Sequence, residues 1–304
     1  MNTPRPVDLD LTVRSHGFYD LAPWSYRLER GALARPLRLS TGRAVAVEVA
    51  ARGELGLRIS SAGPLSAAEA GEARAQVRAC LSLDEDLSPF HASVRELQRA
   101  GRRQRLPDLA WAVERGAGRL LRSPTVFEET VKTLCTTNCS WALTRAMIKN
   151  LVERLGEPAP LGGRTFPTPA ALAERPERFF REAIRAGYRA GALRWIAREV
   201  ARGALDVEAW RESGLATDEL AERIRALPGF GPYATEHMLR LLGRHDHLAL
   251  DSWTRAKLVR LRGLRRVPSD RALRRWYAPY GRFAGLAMWL EVTADWHGNA
   301  PSWP

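Results

Sequence analysis

A change in hydrophobic period near residue 65 is the feature that most limits how this chain can fold. Before it, apolar and polar residues alternate in short runs typical of strands with one buried face, and glycines between the runs mark turns. The predicted strands cover residues 9–13, 44–49 and 55–59. After it, apolar residues recur at helical spacing. The pattern predicts an α+β fold: an N-terminal antiparallel β-sheet domain over residues 1–88, then a mostly α-helical domain over residues 89–304.

Capping and breaking residues set the predicted helix ends in the second part. Ser66 and Ser123-Pro124 are expected to begin helices, and Gly156 is expected to end one. A loop is expected over residues 162–169. The predicted helices cover about 66–83, 123–134, 141–155, 176–186, 192–202, 207–213, 217–226, 232–242 and 283–294.

Charge narrows the class of partner. The chain has 47 Lys and Arg against 34 Asp and Glu, a net charge of +13, which favours a polyanion and nucleic acid first. No apolar run is long enough to span a membrane, and the first residues lack a signal-peptide pattern, so we expect an intracellular protein, in the cytoplasm or nucleoid if bacterial. Three cysteines, Cys80, Cys135 and Cys139, are too few and too unevenly spaced for a disulfide framework or a metal site.

The most specific local pattern is Leu227-Pro228-Gly229-Phe230-Gly231-Pro232-Tyr233-Ala234, which joins two helical stretches. Two glycines so close together permit a sharp turn and a close backbone approach. The helix that begins at Pro232 would direct free amides outward, which suits a DNA phosphate. Residues 227–233 are therefore predicted to form a hairpin that grips DNA, although a plain interhelical turn would have a similar sequence.

Asp251 follows Gly231 by about twenty residues, behind the apolar stretch 248–250 and at the expected start of a helix. Such an aspartate is typical of a helix N-cap. A cap can also be a catalyst, because the helix dipole stabilises the ionised carboxylate.

The hairpin and the acid together resemble the signature of the helix-hairpin-helix DNA glycosylases. Further stretches, over roughly residues 120–297, are similar to the 8-oxoguanine branch, among them 134–138, 187–190 and 281–285. The resemblance implies that the partner is double-stranded DNA with a damaged base, that the base is flipped out, and that the protein is a monomer with no membrane contact. It also implies that the catalytic residue is Asp251, which stabilises an oxocarbenium-like sugar and orients water.

The same resemblance bears on lyase activity and cofactors. The lysine that attacks the sugar in bifunctional branches corresponds to Tyr233, and the nearest lysine in sequence, Lys257, is expected on a different helical face at the surface. We therefore predict hydrolysis without a lysine-dependent lyase step. No cysteine follows Cys139, so no iron–sulfur cluster is expected. The resemblance is also compatible with a monovalent cation bound at the hairpin.

The resemblance assigns DNA contacts to the hairpin and to two other segments. Gly229, Phe230 and Gly231 would grip the backbone. Tyr188 would enter the stack in place of the flipped base, and Asn138 and Arg189 would read the orphaned cytosine. A third such position is Leu143 instead of arginine, which predicts relaxed selectivity for the opposite base.

The predicted base pocket departs from the 8-oxoguanine branch. The glutamine that reads guanine corresponds to Met288, the stacking phenylalanine to Val292 and the pocket cysteine to His237. Methionine lacks the paired donor and acceptor of an amide. Tyr233, with ring surface from Trp253 and Trp289, is more similar to alkylpurine glycosylases, which stack cationic bases on aromatic rings.

Three functions follow from these observations. The first is a monofunctional glycosylase for a damaged purine, favouring an alkylated one. The second is an 8-oxoguanine glycosylase with an altered pocket. The third is a non-catalytic protein that binds lesions or abasic sites, and the retained Asp251 argues against it.

Overall fold

The computed structural model describes residues 7–53, 56–100, 106–160 and 162–298. Near the N-terminus a four-stranded antiparallel sheet has the order β1-β2-β3-β4. Its strands are β1 Ser25–Arg27, β2 Ala32–Arg38, β3 Ala44–Ala51 and β4 Leu57–Ser61. Burial alternates along β3, as the sequence predicted, and the predicted strand at 55–59 corresponds to β4, except that Leu55 lies outside the described residues.

The first predicted strand is wrong, because residues 9–13 form a helix, α1 (Leu9–Val13). Asp8 caps it by accepting the Leu11 N–H at 3.0 Å. Four of the five helical residues are buried, so a window this short shows no helical periodicity that could be told from alternation.

Thirteen further α-helices follow in the described residues. They are α2 Ala67–Cys80, α3 Ser88–Arg99, α4 Ala110–Glu114, α5 Val126–Thr136, α6 Trp141–Leu155, α7 Pro169–Ala173, α8 Glu177–Glu182, α9 Ala190–Ala201, α10 Thr217–Arg225, α11 Pro232–Leu241, α12 Ser252–Leu261, α13 Asp270–Tyr277 and α14 Ala284–Thr293. None of the helices in the part that the structure describes is long and apolar enough to cross a membrane.

Some predicted boundaries need correction. The helix expected at 123–134 begins instead at Val126, because Thr125 is the N-cap and accepts the Glu128 N–H at 3.1 Å. The stretch 207–213 contains only a 3-10 turn, Glu208–Trp210, and the expected loop at 162–169 leads directly into α7.

Three hydrophobic cores hold these elements together. The first lies between the sheet and α2, and the second is formed by α5 to α11. The third joins α3 and α4 to α12, α13 and α14, so it is built from segments far apart in sequence. The chain therefore enters the third core after the sheet, leaves it to build the second, and returns to it after α11.

A buried ionic cluster connects the sheet to α5. Glu128 accepts hydrogen bonds from Arg35 of β2, at 3.2 and 2.9 Å, and from Lys132 at 2.6 Å. Although burial opposes its ionisation, these two cations lower the pKa of Glu128 to about 2. All three side chains are buried, so the charges compensate one another inside the protein and fix the sheet against the helical body.

Candidate active site

The hairpin between α10 and α11 requires glycine at one position for two separate reasons. Gly229 has φ +83°, in the left-handed region that side chains disfavour. A Cβ atom there would also lie 2.6 Å from Cδ1 of Leu134 in α5. The turn is thus pressed against the second core, which fixes the direction in which α11 begins.

The N-terminus of α11 is open. Gly231 is its N-cap, Pro232 occupies the first turn, and no side chain of the described residues caps it. The amides of this turn therefore lack a side-chain acceptor, and their contact with a DNA phosphate stays a prediction. The side chain of Phe230 is buried in the second core, so this residue can offer DNA its backbone while the ring anchors the turn.

Asp251 follows Leu248 and Leu250, which pack in the third core. It is the N-cap of α12, and its Oδ1 accepts the Thr254 N–H at 2.6 Å. The preceding residue, Leu250, donates its N–H to Glu236 of α11 at 3.3 Å, which ties this segment to the helix after the hairpin. Asp251 is half-buried and faces the side of α11 described next.

Tyr233, His237 and Arg240 are spaced along one side of α11, which we call the α11 face. The rings of Tyr233 and His237 are stacked, with centroids 5.9 Å apart. Burial, and then the negative charge of Asp251, raise the pKa of Tyr233. Burial lowers the pKa of Arg240 and the negative charge of Asp251 opposes this shift, so the carboxylate lies near two residues of the α11 face.

Arg240 and two tryptophans extend the site toward α14. The guanidinium of Arg240 lies 4.0 Å from the ring centroid of Trp289, and Trp289 lies 6.1 Å from the Trp253 ring. Trp253 is 40% exposed, in agreement with a role as ring surface at the mouth of the site. Arg240 was not predicted as a site residue, because a single arginine near the end of a helix is typically exposed to solvent.

The N-terminal part also reaches this site, through His16 and Phe18. The Phe18 ring is 5.2 Å from the His237 ring, and the Nε2 of His16 lies 2.5 Å from the Leu121 carbonyl oxygen. Trp289 donates its indole N–H to the Ser15 carbonyl at 2.8 Å. No local motif could have identified these residues, because only the folded chain brings them to α11.

A second group of predicted DNA-contacting residues lies together between α5 and α9. Tyr188 is 60% exposed, and Asn138 donates to its hydroxyl at 3.3 Å. Arg189 is buried beneath the Tyr188 ring, 4.4 Å from its centroid, and donates to the carbonyl of Thr137. Tyr188 thus projects from the surface, and its role as a wedge stays a prediction, whereas Arg189 supports the loop that carries Asn138.

No protein-family model matches the sequence, and no curated protein matches it. Several solved structures share its fold over nearly the whole chain. A 3-methyladenine DNA glycosylase from Archaeoglobus fulgidus has a TM-score of 0.74 at 21% identity, covering 96% of this chain and 97% of that one. MBOgg1 in complex with a low-affinity DNA ligand has a TM-score of 0.72 at 19% identity, covering 97% and 95%.

An 8-oxoguanine glycosylase/lyase from Clostridium acetobutylicum, in complex with DNA, has a TM-score of 0.66 at 20% identity and covers 93% of each chain. This chain has the fold of the helix-hairpin-helix DNA glycosylases. The predicted α+β architecture is thereby confirmed.

Two predicted pocket residues of this glycosylase fold are fully buried. Met288 and Val292 both lie on α14 with no exposed surface, inside the third core. Trp289, between them on the helix, is the α14 residue that contacts Arg240. Contact of Met288 and Val292 with a flipped base stays a prediction.

None of the three lysines offers a free amine beside Asp251. Lys132 is bound to Glu128, and Lys149 lies 3.6 Å from Glu153 on α6. The expected surface position of Lys257 is wrong, because its amine is buried and lies 2.5 Å from Asp295. In the described residues no group of three or more His, Cys, Asp or Glu side chains could bind a metal, and a monovalent cation at the hairpin stays a prediction.

Proposed function

We propose that this chain is a monofunctional DNA glycosylase that hydrolyses the bond between a damaged purine and its deoxyribose. The observation that carries the proposal is the position of Asp251. Its carboxylate is fixed as the N-cap of α12 and lies near the α11 face, and α11 itself begins at the glycine hairpin without a side-chain cap. We further propose that it acts on DNA inside the cell, as a monomer.

The proposed reaction assigns a role to each part of the site. The α11 N-terminus holds a backbone phosphate, and Tyr188 fills the space that the flipped nucleotide leaves. As the bond from the base to C1′ breaks, the carboxylate of Asp251 stabilises the positive charge of the sugar and orients the water that adds to C1′.

The absence of a lyase step rests on two observations. The position of the attacking lysine is occupied by Tyr233, whose hydroxyl cannot form a Schiff base. All three lysines have carboxylate partners. The expected product is therefore an intact strand with an abasic site.

For the lesion, the aromatic α11 face and the fold shared with the Archaeoglobus fulgidus 3-methyladenine glycosylase support an alkylated purine. The fold shared with the Clostridium acetobutylicum 8-oxoguanine glycosylase/lyase supports the alternative of 8-oxoguanine. A non-catalytic lesion-binding protein is the third candidate, and it would leave the carboxylate without a role.

The test is base release from duplexes that carry 3-methyladenine, 7-methylguanine, hypoxanthine or 8-oxoguanine, with strands developed by hot alkali. We expect cleavage only after alkali for at least one lesion. Strand cleavage before alkali would contradict hydrolysis without lyase action, and binding without any release would favour the third candidate.

Asp251→Asn is the first variant to examine, because it keeps the shape of the side chain and removes its charge. We expect duplex binding to persist while single-turnover base release falls at least about a hundredfold, or about 3 kcal/mol of barrier. Asp246→Asn, at an exposed aspartate shortly after α11, is the matched control. Unchanged release by the Asp251 variant would remove this residue from the mechanism.

A further inference from the structure

Arg240 is an unusual residue for the interior of a base-binding site. It is 4% exposed, its Nη1 has no hydrogen-bond partner, and no ion pair joins it to a carboxylate of the described residues. Its guanidinium rests on the face of Trp289 and interacts electrostatically with Tyr233 and Asp251. Although burial lowers the pKa of Arg240 to about 10, the group stays protonated at neutral pH.

Such an arginine is costly to keep. A buried charge without a direct partner destabilises the folded state unless something compensates it, and a second unpartnered atom, Nε2 of His237, lies on the same α11 face. Burial lowers the pKa of His237 well below its ordinary value, so it adds no second charge. Both nitrogens are thus buried on the α11 face without a hydrogen-bond partner among the described residues, and the Arg240 nitrogen is a charged donor.

The chemistry of base release shows what could use this positive charge. When an uncharged purine leaves, the electron pair of the N9–C1′ bond goes with the base, which becomes an anion. Water adds through its oxygen to C1′, its proton passes to the Asp251 carboxylate, and the purine anion takes a proton from solvent. A purine that is already cationic, such as 7-methylguanine, leaves as a neutral molecule and develops no negative charge.

We propose that Arg240 stabilises the negative charge on a departing purine, and that the substrates of this chain are therefore uncharged lesions such as hypoxanthine or 8-oxoguanine. The inference rests on the proposed glycosylase function and, between the two lesion classes weighed there, favours the uncharged base over the cationic alkylated purine. A fixed cation in place before the bond breaks acts in a site that excludes water, where its effect on the barrier is large. The same cation repels a positively charged base and covers one face of Trp289 that such a base would need for stacking.

The experiment compares uncharged and cationic lesions in single-turnover release by the wild-type protein, Arg240→Met and Arg240→Lys. We expect the wild type to release hypoxanthine or 8-oxoguanine faster than 7-methylguanine. Arg240→Met should lower release of the uncharged base by about a hundredfold and leave 7-methylguanine release unchanged or faster. Arg240→Lys should retain part of the selectivity, and Arg260→Met, at an exposed arginine of α12, should have no effect.

Equal losses on both lesion classes would overturn the inference, because they would mean that Arg240 only supports the site. Preferential release of 7-methylguanine by the wild type would overturn it as well, and this comparison decides the matter even if Arg240→Met does not fold. Wild-type protein that releases no base from any duplex would instead contradict the proposed function.

Discussion

The side chain of Asp251 has two oxygens, and the fold uses only one of them. Oδ1 caps α12, whereas Oδ2 makes no hydrogen bond within the described part of the chain. This hydrogen bond to the Thr254 N–H fixes the rotamer of the side chain. One oxygen is thus held still by the helix while the other remains for the substrate.

At Tyr188 we predict that removal of the ring impairs base flipping and leaves folding intact. The side chain is mostly exposed, so Tyr188→Ala should not change the melting temperature. Loss of a stacking platform costs about 1–3 kcal/mol, which should slow single-turnover release about tenfold or more. A fluorescent base analogue beside the lesion reports the flipping step.

Tyr188→Phe is the matched control, since it keeps the ring and removes only the hydroxyl that contacts Thr137 and Asn138. It should release the base at a rate close to that of the wild type. If the alanine and phenylalanine variants were equally slow, the hydroxyl and not the ring would be the functional group.

At the residue scale, the sequence located those parts of the site that belong to local motifs. Tyr233 and His237 were predicted on one side of the helix after the hairpin, where they are found. Arg240, His16 and Phe18 were not predicted, because their roles depend on contacts with distant segments. Spacing along a helix says which side chains share a face, but not what packs against that face.

At the scale of elements, the hairpin separates two glycines that look equivalent in sequence. We predict that Gly229→Ala lowers the free energy of unfolding by about 1–3 kcal/mol, because the residue has a positive φ and would contact Leu134. Chemical denaturation measures the loss. Affinity for a duplex should fall with it, since the turn can no longer lie against α5.

Gly231→Ala is the control within the same turn. Its φ is −101°, and a Cβ atom there would meet no atom within 4 Å. Its free energy of unfolding should match that of the wild type. A similar loss in both variants would mean that the loss in Gly229→Ala does not come from its positive φ or from contact with Leu134.

The limits of a helix were predicted correctly where the sequence has both a helical spacing of apolar residues and capping or breaking residues at the ends. The limits of α6 were predicted correctly, from helical spacing up to Gly156, and Ser140 provides its N-cap. Helices α3 and α13 were missed although Ser88-Pro89 and Pro268-Ser269 mark their starts, because each buries only two side chains, too few to show a helical period. Residues 9–13 were assigned to a strand because five residues are too few to distinguish two periods.

For the whole molecule, buried histidines predict that stability falls in mild acid. Burial lowers the pKa of His16 and of His297 to about 4, and that of His237 well below the ordinary value of 6.5. Below pH 6.5 the unfolded chain takes up protons that the folded chain refuses, so each group's contribution is present above 6.5 and is lost as the pH falls toward 4. For His16 and His297 the loss is on the order of 3 kcal/mol each, measurable by urea denaturation at several pH values.

His16→Gln tests the assignment of this pH dependence. It should lower stability at neutral pH and flatten the decline between pH 6.5 and 4. His247→Gln, at a half-buried histidine that contacts the exposed Asp218, should leave the decline unchanged. A decline of the same steepness in the His16 variant would mean that other groups cause it.

The third core can form only after the C-terminal helices have been synthesised, because the chain returns to it after α11. Helices α3 and α4 find their partners only in α12 to α14, which are made more than a hundred residues later. When a nascent chain has been synthesised as far as α11, the residues of the second core are present. The segments of the third core that hold α12 and Asp251 in place have not yet been made. A chain that ended between α11 and Asp251 would therefore keep the elements of the second core and the hairpin but lack α12 and the carboxylate that caps it.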